Sequence, residues 1–257
     1  MIPYHDENDT VRTAVVTLAI IGLCTVTWIV AQGAGANYPL AASVCNFGLI
    51  PGEITQTLKA GLQFPIGEGL ACVIDPGPQY LNVLTSMFLH GGWMHLIGNM
   101  WFLWLFGNNI EDSMTRPRFV AFYLLCGLSA AFAQVVADPR SYVPMIGASG
   151  AISGVMGAYL VLYPHTKVYT FVPLGFFFTN LALPAWVMLI YWMALQVFGG
   201  LAQSVAREGG GVAFWAHIGG FFAGVVLIKI FAKPNHIVAH AAHSFQPRRV
   251  GWDYRDY

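Results

Sequence analysis

Residues 147–163, GASGAISGVMGAYLVLY, decide how this chain folds. The stretch is free of charge, and as an α-helix it presents a face of small residues along which a second helix can approach closely. That face is formed by Gly150, Gly154 and Gly157. From Ser149 to the next proline there are 15 residues, or about 22 Å of helix, whereas a hydrocarbon core is about 30 Å thick. The helix is therefore predicted to begin below a membrane surface, where its lead-in must line a water-filled cavity or be buried in protein.

The whole chain has the composition of a membrane protein. Hydrophobic residues make up 56% of it and charged residues 9%, against roughly 25% charged in soluble domains. We predict an all-α polytopic membrane protein with six transmembrane helices, in which a domain over 12–232 follows an N-terminal tail at 1–11 and precedes a polar tail at 233–257. The six apolar runs lie at 12–32, 92–110, 118–137, 149–163, 181–200 and 211–231.

Charge indicates the orientation and excludes one class of partner. Because the chain has 12 basic and 12 acidic residues, it has no global field that would attract nucleic acid. With the N-terminus inside, nine Lys and Arg residues fall on the inner side and three on the outer side. We expect a cytoplasmic N-terminus in the plasma (inner) membrane, with the site opening to the outer side. The acidic start of the chain lacks the features of a signal peptide.

The cysteines and the C-terminal histidines have modest predicted roles. Cys45 and Cys72 share one long polar loop, so a disulfide between them is possible if that loop faces an oxidising compartment. The tail after residue 232 is polar, and we expect it to be solvated. Its three histidines, at helical spacing, are interpreted as surface residues and not as a metal site; they are His236, His240 and His243.

Strongly polar residues lie at the starts of three predicted spans. In the predicted orientation the second, fourth and sixth spans all begin on the outer side, so their first turns lie at similar depth. These turns carry His95 and Asn99, then Ser149, then His217. Polar side chains at membrane depth face the bundle interior by default and mark functional sites. A structural role, such as a hydrogen bond to a neighbouring helix, is the alternative for either histidine alone.

Together these residues have the chemistry of a nucleophilic site. A serine hydroxyl needs an adjacent base, and histidine is the usual one near neutral pH, so Ser149 is the candidate nucleophile and His217 its base. His95 and Asn99, four residues apart, share a helix face and can stabilise an oxyanion with the backbone N–H of Ser149. Gly220 and Gly224 can bring the sixth span close to the fourth. Because the predicted spans contain no carboxylate, packing or hydrogen bonds must orient the imidazole.

At these positions the sequence resembles the rhomboid family of intramembrane serine proteases. The motifs are HGGWMHLIGN at 90–99, GNNIEDSMTRPRFVAFYLLCG at 107–127, GASG at 147–150 and AHIGGFFAG at 216–224. The resemblance implies a six-helix rhomboid bundle, a catalytic Ser149–His217 dyad, an oxyanion site of His95, Asn99 and the Ser149 N–H, and single-span transmembrane substrates. It also implies that span five and the loop after it gate substrate access. The chain departs from the family at Ser153, where an aromatic residue often stacks on the histidine.

Several other classes compete with this interpretation. A zinc protease would need a glutamate in the HLIGN stretch, and an aspartyl intramembrane protease would need two aspartates at depth; the sequence has neither. A transporter is disfavoured because no inverted repeat is evident. The main alternative is a non-catalytic rhomboid-like protein that binds or traffics single-span clients. We expect membrane lipid as the surroundings, and no metal, cofactor or nucleic acid as a partner.

Overall fold

A computed structural model describes residues 2–174, 177–206 and 211–244 of the chain. Within these ranges the protein is mostly helical, with a three-stranded and a two-stranded sheet. The helices are α1 (Val15–Val26, continued by a π-helical turn, Thr27–Ala31), α2 (Asn37–Phe47), α3 (Pro51–Ile54), α4 (Asn82–Thr85), α5 (Trp93–Asp112), α6 (Arg116–Ala137), α7 (Ser149–Leu162), α8 (Ala185–Ala206), α9 (Phe214–Phe231) and α10 (Pro234–Ser244). The strands are β1 (Ile2–Asp6), β2 (Gln63–Gly67), β3 (Leu70–Val73), β4 (Lys167–Leu174) and β5 (Phe177–Pro184).

Each predicted span contains a helix, although not all of these helices have the length and composition of a span. Among the described residues, α6, α8 and α9 are long and apolar enough to cross a membrane, and Val15–Ala31 and α7 are shorter apolar helices. The helix α5 is 20 residues long but ends in polar and acidic side chains. The chain is a membrane protein; the number of six crossings stays a prediction.

The glycine-rich helix α7 lies at the centre of the helical bundle. Its residues from Gly150 to Tyr159 are all buried, and it packs against α5, α6 and α9. The two helices α7 and α9 are in close backbone contact. A Cβ added at Gly220 would overlap the carbonyl oxygen of Gly150, and one added at Gly224 would overlap the carbonyl oxygen of Gly154. The predicted close approach of these two helices is therefore confirmed.

The all-α prediction is wrong for the region before α8. The predicted fifth span begins at residue 181, whereas residues 177–184 form β5 and pair antiparallel with β4, with Lys167 opposite Pro184 and Leu174 opposite Phe177. Both strands are apolar and rich in aromatic and β-branched residues, which favour strands. Because an apolar run of this length does not distinguish a strand from a helix by periodicity, the helix was predicted to begin too early.

The sequence near each terminus takes part in the fold. The strand β1 pairs with β4, so that Ile2 lies opposite Phe171. The expectation that the C-terminal tail is solvated is wrong for His240, which is 1% exposed. Its Nδ1 lies 2.7 Å from Oδ2 of Asp112, and its Nε2 lies 2.7 Å from Oδ1 of Asn8. A buried carboxylate needs such partners, and α10 supplies one of them.

A disulfide secures the long segment between α1 and α5. Cys45 in α2 is bonded to Cys72 in β3, as the sequence allowed. Both ends of the bridge pack on a small apolar cluster of Ile50, Phe64 and Ile74. The segment is thus an ordered unit beside the helical bundle, and one of its residues, Leu49, forms a β-bridge with Met145 close before α7.

Candidate active site

The structure brings Ser149 and His217 together. Ser149 is the first residue of α7 and His217 lies in the first turns of α9. The hydroxyl Oγ of Ser149 lies 2.7 Å from Nε2 of His217, within hydrogen-bonding distance. Two helices that meet through glycines hold these residues, so the backbones approach closely enough for two short side chains to touch. As the first residue of a helix, Ser149 also has a backbone N–H without an intrahelical acceptor.

His95 and Asn99 lie beside the loop that leads to Ser149. Gly147 has a φ of +121°, and a Cβ there would lie 2.8 Å from Nε2 of His95 and 3.7 Å from Nδ2 of Asn99. The Nδ1 atom of His95 accepts a hydrogen bond from the backbone N–H of Gly91 at 3.2 Å. The ring hydrogen of a neutral His95 is therefore on Nε2, which faces the loop. Both side chains thus present N–H donors near the residue two positions before Ser149.

A cavity of about 800 Å³ opens beside the paired serine and histidine. It is lined by His95, Ser149 and His217, by residues 141–146 of the lead-in to α7, and by Trp215 near the start of α9. Of the two placements predicted for the non-helical lead-in, lining a cavity or being buried in protein, the structure shows the first; its depth in the membrane stays a prediction. A cavity of this volume has room for a peptide segment and for water beside the hydroxyl group.

His90 is held through its backbone. Its N–H donates to Oε1 of Gln32 and its carbonyl oxygen accepts from Nε2 of Gln32, both at 2.8 Å. Its side chain is buried, and its ring lies edge-on to that of His95, with centroids 5.2 Å apart. His90 therefore joins the segment after α1 to the residues that precede α5.

Two residues of α8 contact His217 and were not predicted from the sequence. Oε1 of Gln196 lies 2.8 Å from Nδ1 of His217, and the ring of Trp192 lies beside the imidazole, tilted by 37° and with the ring centroids 5.7 Å apart. Ser153, where the family often has an aromatic residue, instead donates its hydroxyl to the carbonyl oxygen of Ser149 at 2.6 Å. The aromatic contact to the histidine therefore comes from α8. An amide inside an apolar run was the signal that could have identified Gln196.

The fold and the site define a class of protein: a polytopic helical membrane protein with a hydrogen-bonded serine and histidine beside a cavity. The chain belongs to the rhomboid family, since residues 77–234 match the Rhomboid domain.

Relatives of this chain occur in eukaryotes and bacteria. It is 29% identical to Rhomboid protein 1, mitochondrial, of Saccharomyces cerevisiae over 57% of this chain and 40% of that protein. It is 28% identical to RHOMBOID-like protein 5 of Arabidopsis thaliana over 64% and 48%. It is 33% identical to Putative rhomboid protease YdcA of Bacillus subtilis over 33% and 42%. The chain thus spans less than half of the length of these three relatives.

Proposed function

We propose that this protein is an intramembrane serine endopeptidase that cleaves transmembrane segments of single-span membrane proteins. One observation carries the proposal: the 2.7 Å contact between Oγ of Ser149 and Nε2 of His217 at the edge of a cavity in a membrane protein. A hydroxyl group paired with a neutral imidazole is the minimum that serine nucleophilic catalysis needs. Membership of the rhomboid family, one relative of which is described as a putative rhomboid protease, supports the proposal.

The reaction follows from the roles of four residues. Nε2 of His217 takes the proton of Ser149 Oγ as that oxygen bonds to the carbonyl carbon of the scissile peptide. The resulting oxyanion accepts hydrogen bonds from the backbone N–H of Ser149 and from His95 and Asn99. His217 then gives the proton to the leaving amine as the C–N bond breaks, leaving an acyl-enzyme. Water, deprotonated by His217, attacks the ester, and the proton returns to Ser149.

The same proposal includes a topology. Six membrane crossings with a cytoplasmic N-terminus would place the starts of α5, α7 and α9, and with them the cavity, toward the outer side. The excess of Lys and Arg on the opposite side supports this orientation. So does the disulfide between Cys45 and Cys72, because disulfides persist in oxidising compartments. The plasma (inner) membrane is our proposed location; a relative in yeast is described as mitochondrial.

Two substitutions test the proposed activity. The full chain is reconstituted in lipid vesicles with a single-span reporter protein, and cleavage is followed by gel and mass spectrometry. Ser149→Ala and His217→Ala should each reduce cleavage by at least about a thousandfold, because the first removes the nucleophile and the second removes its base. A fluorophosphonate, which reacts with activated serines, should label the wild type and not the Ser149 variant.

Ser153→Ala is the matched control, because it removes a hydroxyl from the same helix one turn further on. Ser153 is bonded to the carbonyl oxygen of Ser149 and not to His217, so this variant should keep its cleavage activity. Wild-type cleavage by Ser149→Ala would refute the proposal. Binding of the reporter without cleavage or labelling by the wild type would instead favour the non-catalytic alternative.

A further inference from the structure

Gln196 is a buried amide that the proposed mechanism leaves without a role. It lies in α8, one of the helices long and apolar enough to cross a membrane, and is 8% exposed. Its Nε2 donates to the carbonyl oxygen of Trp192, one turn earlier in the helix, at 3.4 Å. With the donor end of the amide directed to that carbonyl, the oxygen end faces His217 at 2.8 Å.

This contact determines which ring nitrogen of His217 carries hydrogen. The amide oxygen can only accept, so Nδ1 must donate, and in a neutral imidazole the lone pair is then on Nε2. Nε2 is the atom that faces the Ser149 hydroxyl at 2.7 Å. The other tautomer would place a hydrogen on Nε2, which could then not accept the serine proton. The tilted Trp192 ring beside the imidazole reduces the space in which the imidazole can rotate.

We infer that Gln196 is a positioning residue, which holds His217 in the tautomer and orientation required of a general base; this inference rests on the proposed function. In soluble serine proteases a buried carboxylate has this task. A carboxylate inside a membrane helix is costly to desolvate, whereas a neutral amide accepts the same hydrogen bond without a buried charge. The family departure at Ser153 thereby has a physical account, because α8 supplies both the aromatic ring and the acceptor.

The packing of α8 fixes the place of Gln196. One turn further along, Gly199 faces the ring of Phe214 and Gly200 faces Trp215, so closely that a Cβ at Gly199 would overlap the phenylalanine ring. Phe214 is the first residue of α9, and His217 follows within a turn. Because α8 is held against the same turn of α9 that carries the histidine, Gln196 has a defined distance to Nδ1.

Two variants of the full chain in vesicles separate positioning from packing. Gln196→Met keeps the volume and removes the acceptor; we expect kcat to fall about 10- to 100-fold, the loss seen when metal-binding histidines are deprived of the partner of their second nitrogen, with KM nearly unchanged. Fluorophosphonate labelling of Ser149 should slow by a similar factor. Gln196→Glu keeps an acceptor and adds charge, which stabilises the imidazolium, so activity should persist while the acidic limb of the pH profile moves upward by about one pH unit.

Leu195→Ala is the control for changes in α8 itself, since Leu195 is 47% exposed on the outer face of the helix; it should leave kcat and the pH profile unchanged. Wild-type kcat in Gln196→Met overturns the inference, as does an unshifted acidic limb in Gln196→Glu. If the methionine variant does not fold, the glutamate variant alone decides. A wild type that neither cleaves nor labels overturns the proposed function itself, whereas an active wild type with unaffected Gln196 variants overturns only this inference.

Discussion

Gly147→Ala should disable the candidate site while leaving Ser149 and His217 in place. A Cβ at this position would lie 2.8 Å from Nε2 of His95, and nonbonded contacts prefer about 3.5 Å, so the ring or the loop must move by about 0.7 Å. The φ of +121° adds strain of about 1–3 kcal/mol for a residue with a Cβ. A displacement of this size in a catalytic group can cost about 100-fold in rate.

We therefore expect kcat for a single-span reporter to fall by about 100-fold, with a smaller change in KM and a lower melting temperature. Gly91→Ala is the matched control, because a Cβ there would meet Nδ1 of the same histidine at 3.7 Å, an ordinary contact, and the backbone N–H donated to His95 is kept. Full activity in Gly147→Ala would show that His95 and Asn99 are not the oxyanion donors. An equal loss in Gly91→Ala would show that the effect is not specific to the loop.

Two further predictions concern the parts of the fold that lie away from the candidate site. Burial raises the pKa of Asp6 from 3.8 to about 6, so its stabilising contribution is fully present below pH 3.8 and is lost as the pH rises through 6. The loss amounts to at most about 3 kcal/mol in the free energy of unfolding. Between pH 4 and 7 the melting temperature should fall in the wild type and not in Asp6→Asn, and an equal dependence on pH in both proteins would contradict the prediction. Replacing both Cys45 and Cys72 by alanine removes a bridge across a sequence separation of 27. The free energy of unfolding should fall by about 3–4 kcal/mol, measured as a lower melting temperature. Cys24 is a free buried cysteine, so Cys24→Ala is the control that keeps the bridge.

The pairing of Ser149 with His217 could be predicted because several independent features agree. Both residues lie near the start of apolar runs that are predicted to enter the membrane from the same side, and glycines in both runs permit close approach. The sequence likewise predicted that the residues before α7 line a cavity or are buried in protein, because the helix between Ser149 and Pro164 is short. These inferences depend on the position of each residue within an apolar run and on the size of its side chain, and both can be read from the sequence.

The parts that were missed depend on contacts between distant segments. The apolar residues 177–184 fit a span as well as a strand, and only their pairing with β4 distinguishes the two. His240 seemed to belong to a solvated tail because its partners, Asn8 and Asp112, are more than 100 positions away. Gln196 could have been noticed as a polar residue in a span, but its partner could not, because the rotation of α8 about its axis is set by packing.

The close contact of α7 and α9 connects stability with the candidate chemistry. At Gly220 and Gly224 the helices are so near that an added Cβ would overlap a backbone oxygen of α7. Ser149 and His217 lie at the end of this contact where both helices begin. A larger residue at Gly220 or Gly224 would separate the two helices along their length, since packed helices move as rigid units. The hydrogen bond between Ser149 and His217 would then lengthen even though neither residue had changed. The glycines are therefore part of the site in the physical sense, because the helix separation that they permit sets the distance across which the proposed proton transfer occurs.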